Sequence, residues 1–405
     1  MTESEDLPVV EVGPVAHGGH CVARLDGQVV FVRHTLPGET VRVRITDRTS
    51  RFLRADAVEV LEPSPDRVEP PCPYAGDCGG CDFQHVDPAA QRRLLGTVVS
   101  EQLQRLAGIE RDVEVEELSP VLGWRTRTTY TTDRHGRTGL RRHRSHEVVD
   151  VERCLIAHPG LAEVPALSWD PGPVEAVVSS TGERLVVTDS RVPRDLALDG
   201  LVDSNGHRRA GRAHVREHVS GHDFRVSGSG FWQVHPQAAA TLSDAVLAGA
   251  QVGVGDHVAD LYAGVGLFTA FLADAVGETG RVVSVEGDPG GHRDARRNLH
   301  HLEQVRLLKA PVERSLRDGS TLGALDGRCD VVVLDPPRTG AKKAVPDLAR
   351  LGARRLVYVA CDPAALARDV AALQERGYRL DSLRAFALFP MTHHVECVAV
   401  LDRVD

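Results

Sequence analysis

From Phe231 to the C-terminus, short apolar runs alternate with longer segments that carry an apolar stripe. The runs His257–Leu261, Arg281–Glu286, Val305–Lys309, Asp330–Asp335, Arg355–Ala360, Tyr378–Ala387 and Val395–Leu401 predict strands. Leu267–Val276, Pro289–Leu302, Val345–Leu351 and Ala364–Arg376 predict the helices between them. Such alternation implies a doubly wound, mostly parallel sheet, whose ligands sit at the carboxyl ends of the strands.

The N-terminal pattern is different. Val29–Val32, Thr40–Ile45 and Ala57–Leu61 are β-rich runs separated by Gly18-Gly19, Asp26-Gly27 and Pro37-Gly38, and they predict a small OB-like barrel. A proline-rich stretch, Glu62 to Pro73, closes it. The middle segment is less regular, with one helix predicted from Pro88 to Leu106 and short β-like runs such as Leu185–Thr188. Three domains follow: 1–62, 63–225 and 226–405.

Composition changes this picture little. The 405 residues, 42 % apolar and 26 % charged, suit a globular chain. The acidic opening Met1–Asp6 lacks the basic-then-apolar order of a signal peptide, and no run is long enough to span a membrane. A soluble cytoplasmic protein is expected. The net charge of −9 argues against indiscriminate nucleic-acid binding, but its distribution is uneven. Between Val121 and His146 seven arginines face one acid, Asp133, and Arg208, Arg209, Arg212 and Arg216 form a second cluster. These are either solvated faces or surfaces for phosphate.

The strand ends hold the candidate chemistry. Asp260-Leu261-Tyr262-Ala263-Gly264-Val265-Gly266 places a Gly-x-Gly turn between strand and helix, and Glu286 ends the next strand, where a carboxylate can accept ribose hydroxyls. Both features suit NAD as well as S-adenosylmethionine. Asp335-Pro336-Pro337-Arg338 forms a rigid strand-end mouth; Arg338, where an aromatic would be expected, argues against an exocyclic-amine target. Cys361 follows a strand and precedes Asp362-Pro363, an N-cap and first helical residue, so it is either a small buried hydrophobe or a thiol poised to ionise. Glu396 interrupts an apolar run and is either a paired structural acid or a base. Cys72, Cys78, Cys81 and Cys154 form a four-thiolate set able to hold zinc or an iron–sulfur cluster.

Taken in order, Pro-x-Cys-Pro-x4-Cys-Gly-Gly-Cys, Phe231-Trp232-Gln233-Val234, Asp-Leu-Tyr-x-Gly-x-Gly, Val-x-Glu-Gly, Leu-Asp-Pro-Pro-Arg, Tyr-Val-x-Cys-Asp-Pro-x-x-Leu-Ala-Arg-Asp and His-x-Glu resemble the RNA uracil-5-methyltransferases over nearly the whole chain. The resemblance implies a Rossmann-like methyltransferase domain, an N-terminal TRAM barrel that binds RNA, and a middle α+β iron–sulfur domain. It implies Cys361 as nucleophile and Glu396 as general base. Gln233, Tyr262, Gly264, Gly266, Glu286 and Asp335 then fall at S-adenosylmethionine contacts, and Cys72, Cys78, Cys81 and Cys154 at [4Fe–4S] ligands. Leu267 and Pro311 depart from polar positions of the family. The implied substrate is RNA, ribosomal first and transfer RNA second. An exocyclic-amine methyltransferase and a non-catalytic RNA-binding protein are the other readings.

Overall fold

The computed structural model describes residues 7–193 and 196–404; the acidic opening lies outside them. Strands β1 (Val9–Ala16), β2 (His20–Leu25), β3 (Gln28–Arg33), β4 (Thr40–Arg48) and β5 (Phe52–Glu62) close into a barrel in the order β1-β2-β3-β5-β4. Alternate residues point inward, so Val10, Val12, Val30, Val32, Val41, Val43 and Leu53 fill it. The hydrophobic pattern had given three of these strands; β1 and β2 are the additions. Gly18 and Gly19, both at positive φ, make the tight turn between those two.

Helix α1 (Pro88–Gln102) begins at Asp87, whose carboxylate accepts from the Ala89 and Ala90 amides. A two-residue strand, β6 (Val115–Glu116), follows. Both join the C-terminal domain, although they lie between the barrel and the middle sheet in sequence. The middle sheet contains β7 (Arg127–Thr132), β8 (Thr138–Arg141), β9 (Val148–Asp150), β10 (Gly172–Val178), β11 (Arg184–Val187), β12 (Gly200–Val202) and β13 (Arg208–Gly211). Its order is β13-β12-β11-β10-β7-β8-β9, antiparallel except between β11 and β12. A hairpin, β14 (His214–Val219) and β15 (His222–Ser227), leads to the last domain.

That domain runs α2 (Ala238–Ala250), β16 (His257–Leu261), α3 (Leu267–Val276), β17 (Arg281–Glu286), α4 (Pro289–Asn298), β18 (Val305–Lys309), α5 (Val312–Arg317), α6 (Ser320–Ala324), β19 (Val331–Leu334), α7 (Val345–Arg350), β20 (Arg355–Ala360), α8 (Pro363–Gln374), β21 (Tyr378–Phe386) and β22 (Glu396–Arg403). The sheet order is β18-β17-β16-β19-β20-β22-β21-β6, with β22 antiparallel to both neighbours. Leu356 and Tyr358 of β20 enter one core with α1, α8 and the barrel, while Val357 and Val359 enter another with α2 and α3. Burial on both faces explains the continuous apolar runs. The doubly wound sheet matches the sequence expectation; α2, rich in alanine, is an added helix. Among the described residues, no helix is long and apolar enough to cross a membrane.

Candidate active site

Strand register builds the site. Leu261 pairs with Val285 and with Leu334, and Leu334 pairs with Tyr358. The residues just beyond these pairs, Tyr262, Glu286 and Asp335, therefore emerge along one sheet edge, where ligands of such sheets bind. Ala360 pairs antiparallel with Cys397. Cys361 follows the first and Glu396 precedes the second, so they are neighbours at the same edge although 35 positions separate them (396 − 361).

On the side of Glu286 the backbone is turned sharply: Tyr262, Gly264 and Gly266 have φ of 61°, 57° and 91°. The two glycines differ in reason. A Cβ on Gly266 would lie 2.6 Å from Leu299 Cδ1, so packing requires glycine there; at Gly264 it would meet nothing within 4 Å, which leaves that backbone open to a ligand. Glu286 is oriented by the amides of Gly264 (2.7 Å) and Asp288 (2.5 Å). The Tyr262 hydroxyl donates to Glu313 Oε1 at 3.2 Å, a partner sequence reasoning missed. Asp260, beneath the turn, is buried and pushed up to about 7 by burial; it accepts from the Thr269 hydroxyl. Gln233 is buried in the loop before α2, with no hydrogen bond to this group among the described residues.

On the other side, Cys361 is half-buried in a small cleft lined by Pro336, Pro337, Arg338 and Tyr358. Burial first, then the carboxylates of Glu396 and Asp335, push its thiol up to about 11, and the Arg338 guanidinium opposes them. Glu396 is 4 % exposed and is held well above the usual carboxylate range by burial and by Asp335. Asp335 is itself raised to about 7 by burial and by Asp260. A thiol, two acids and one guanidinium thus share a poorly hydrated space. His394, pushed down to about 4 chiefly by burial, faces Arg338 with its Nε2 3.4 Å from Nη2. Asp362 caps α8, accepting from the Ala365 amide at 2.7 Å, and Pro363 takes the first helical position as its sequence suggested.

The motif residue Asp369 gains a reason. Fully buried, it accepts from the Ala341 amide (2.6 Å) and the Tyr358 hydroxyl (2.8 Å), tying α8 to the loop that follows Asp335. Asp369→Ala strands the Tyr358 hydroxyl and leaves the Ala341 amide only that hydroxyl, 3.0 Å away; a buried donor left unpaired costs about 1–3 kcal/mol. We expect a clear fall in melting temperature together with loss of activity, checked by thermal denaturation and an activity assay. A second strut reaches the segment before Glu396: Asp82 Oδ2 accepts from His393 Nδ1 (2.6 Å), and Gln91 Oε1 accepts from the Met391 amide (3.0 Å).

The four cysteines Cys72, Cys78, Cys81 and Cys154 are free thiols brought into one neighbourhood, close enough for Cys154 to raise each of the other three. Two sulfurs already receive donors: Gly80 N on Cys78 (3.4 Å) and Gln84 Nε2 on Cys81 (3.3 Å). This donor chemistry fits a thiolate-held group. The side chains are not closed around one, since no three His, Cys, Asp or Glu among the described residues are set to hold a metal ion.

The arginine clusters do not form one basic face. Arg127 is buried and donates to the Gly228 and Gly230 carbonyls; Arg137 pairs with Asp133, and Arg142 with Asp77 and Glu147. Arg209 holds the Thr188 and Ser190 carbonyls, while Arg212 and Arg216 share Glu183. Arg134, Arg141 and Arg144 are exposed without a carboxylate partner among the described residues. Arg144 meets the barrel instead, close enough to lower Arg33, Arg54 and His20. There Arg54 lies 5.9 Å over the Phe31 ring and 5.0 Å over that of Phe52.

A doubly wound sheet with a glycine turn and strand-end acids is the frame on which a nucleotide-bearing cofactor binds, and here it is joined to a five-stranded OB-like barrel. The TRAM domain matches residues 9–58, the tRNA (uracil-5-)-methyltransferase family residues 313–404, and the protein-L-isoaspartate(D-aspartate) O-methyltransferase family residues 234–320. An uncharacterized RNA methyltransferase of Streptomyces avermitilis is 50 % identical, covering 97 % of both chains. The 23S rRNA (uracil(1939)-C(5))-methyltransferase RlmD of Acinetobacter baylyi is 31 % identical, over 94 % of this chain and 90 % of that one. The Pyrococcus abyssi tRNA (uracil-54, C5)-methyltransferase, in complex with S-adenosyl-L-homocysteine, shares the fold with a TM-score of 0.73 at 23 % identity, over 97 % of this chain and all of that one. The chain belongs to the RNA (uracil-5)-methyltransferase family.

Proposed function

We propose that the enzyme methylates C5 of a uridine in 23S ribosomal RNA, in the cytoplasm, through a covalent bond between Cys361 and C6 of the base. The observation that carries this reading is the side-by-side emergence of Cys361 and Glu396 next to Asp335 at the sheet edge. S-adenosylmethionine, when bound, supplies an electrophilic methyl group; Tyr262, Gly264, Gly266, Glu286, Gln233 and Asp335 are the residues that would hold it. C5 of uracil is too weak a nucleophile to take that methyl unaided. The Cys361 thiol gives up its proton to solvent, and its sulfur forms an S–C6 bond as the electron pair of the C5–C6 double bond moves toward C5; C5 then bonds the methyl carbon while the bond from that carbon to the sulfonium sulfur breaks and its electron pair stays on sulfur. Glu396 takes the C5 proton, the double bond re-forms, and the S–C6 bond breaks to return the thiolate. The base must leave its stack to reach the cleft.

Ribosomal RNA is favoured by the relative matched over nine-tenths of its length; transfer RNA is the alternative, named for the structural neighbour. Mapping 5-methyluridine in a strain lacking the gene decides. We expect a 23S position to lose its methyl group. Loss confined to transfer RNA moves the substrate there, and no loss in either overturns the reading.

The Phe31–Phe52–Arg54 face with Arg144 is the surface we assign to RNA, since an edge-to-face aromatic pair beside guanidinium groups suits splayed nucleotides and their phosphates. Arg54→Glu and Arg144→Glu should each weaken RNA binding and flatten its salt dependence by about 0.7–0.9 log unit per decade of salt. Unchanged slopes would remove this face from the interface.

We further propose that Cys72, Cys78, Cys81 and Cys154 hold a [4Fe–4S] cluster, with zinc as the alternative, as a brace for the middle domain. Protein purified without oxygen should be brown, with about four irons and four sulfides per chain. Colourless protein with one zinc would assign the alternative.

A further inference from the structure

The turn between β1 and β2 reaches out of the barrel and touches the active site at two points. His17 Nε2 lies 3.1 Å from Asp362 Oδ2, and Asp362 is the residue directly after Cys361. Two positions on, the backbone of Gly19 (φ +77°) presses on the loop ahead of Glu396: a Cβ there would lie 2.7 Å from His393 Cβ and 3.3 Å from Asp82 Cβ. One turn from a domain whose fold suggests only RNA binding therefore braces both the segment carrying the thiol and the segment carrying the acid.

We propose that His17 is a positioning residue for the methyl transfer: its 3.1 Å contact with Asp362 fixes the Cys361-Asp362-Pro363 elbow against the barrel, so that the thiol faces the target uracil. The inference rests on the reading of Cys361 as nucleophile. Three features favour it over an incidental surface contact. Asp362 has a second, rigid bond, to the Ala365 amide at the start of α8, so a force applied through His17 is delivered to the elbow and not dissipated by rotation of the carboxylate. The pair is partly exposed, His17 at 40 % and Asp362 at 26 %, a setting in which an ion pair contributes little to stability. The Gly18-Gly19 backbone, at φ of 98° and 77°, is what lets the turn approach so closely. The partnership with Asp362 also raises the imidazole, which favours its donor form. In this arrangement the barrel is a wall of the catalytic site as well as an RNA-holding module.

The test uses the full-length enzyme and RNA containing 5-fluorouridine, with the rate of covalent adduct formation measured at saturating RNA and S-adenosylmethionine. A misplaced reactive group commonly costs ten- to a hundredfold, and we expect His17→Ala to slow adduct formation by about tenfold. RNA affinity, S-adenosylmethionine affinity and melting temperature should stay near those of the parent. His17→Gln, whose amide nitrogen can take the place of Nε2, should restore the rate to within about threefold. Gly19→Ala, which pushes the turn off His393, should repeat the alanine phenotype without touching His17. A His17→Ala enzyme at parental rate overturns the proposal, and so does a defect confined to RNA affinity, which would make the turn an RNA contact. Cys361→Ala is run alongside. If it still forms adduct, the nucleophile assignment has failed; if it is inert while His17→Ala is normal, only the positioning role has failed.

Discussion

Cys361→Ala will lower methyl transfer by about a thousandfold or more while leaving the protein folded and able to bind S-adenosylmethionine. The size follows from the chemistry: without a bond to C6, C5 carries no electron pair able to displace a methyl sulfonium. The selectivity follows from the structure. Cys361 is only half-buried, so trimming its sulfur leaves little cavity. Its removal also takes away a thiol that burial and two neighbouring acids already keep protonated in the resting site, up to about 11. Single-turnover methylation, set beside thermal denaturation and S-adenosylmethionine titration, checks this. Retention of more than about a tenth of the parental rate would exclude a required thiol adduct.

The second large effect is expected at Glu396, and it has two parts. Glu396→Gln keeps the shape but removes the proton acceptor, so turnover should fall by about a hundred- to ten-thousandfold. Methyl transfer should still occur, because the base acts after it; methylated RNA should therefore accumulate bound to Cys361. The second part concerns stability. Burial and Asp335 raise Glu396 above its ordinary value near 4.5, so the folded state loses stability relative to the unfolded one as pH rises past that value. Glutamine never ionises. The variant should match the parent in melting temperature below about pH 4 and exceed it increasingly above about pH 5. Asp335→Asn should show the same sign between about 4 and about 7, where the raised Asp335 ionises. A variant less stable than the parent at neutral pH would mean that Glu396 is a paired structural acid.

Much of this site is legible in the sequence because parallel strands buried on both faces leave continuous apolar runs, and any charge that breaks or ends such a run is conspicuous. Glu286, Asp335 and Glu396 stand out for that reason, and Cys361 stands out by its place between β20 and α8. The supports do not. His393 lies 311 positions from Asp82, and Met391 300 from Gln91, and no periodicity links them. Asp369 looks like one more helical polar residue until Tyr358 and Ala341 are seen to donate to it. Strand β6 is two residues long, too short for any pattern. Charge misleads in the opposite direction: a run of arginines reads as one surface, yet Arg127 points into the protein and others are neutralised by acids distant in sequence. Helix α2 was missed because its many alanines make no strong stripe.

The central claim is a bond between one sulfur and one ring carbon. RNA carrying 5-fluorouridine at the target position, incubated with enzyme and S-adenosylmethionine, should stop at that bond, because fluorine cannot leave C5 as a cation. The digest of the complex should contain a peptide that bears one methylated fluorouridine at Cys361. Active enzyme that yields no such peptide, or carries the nucleotide on another residue, contradicts the mechanism.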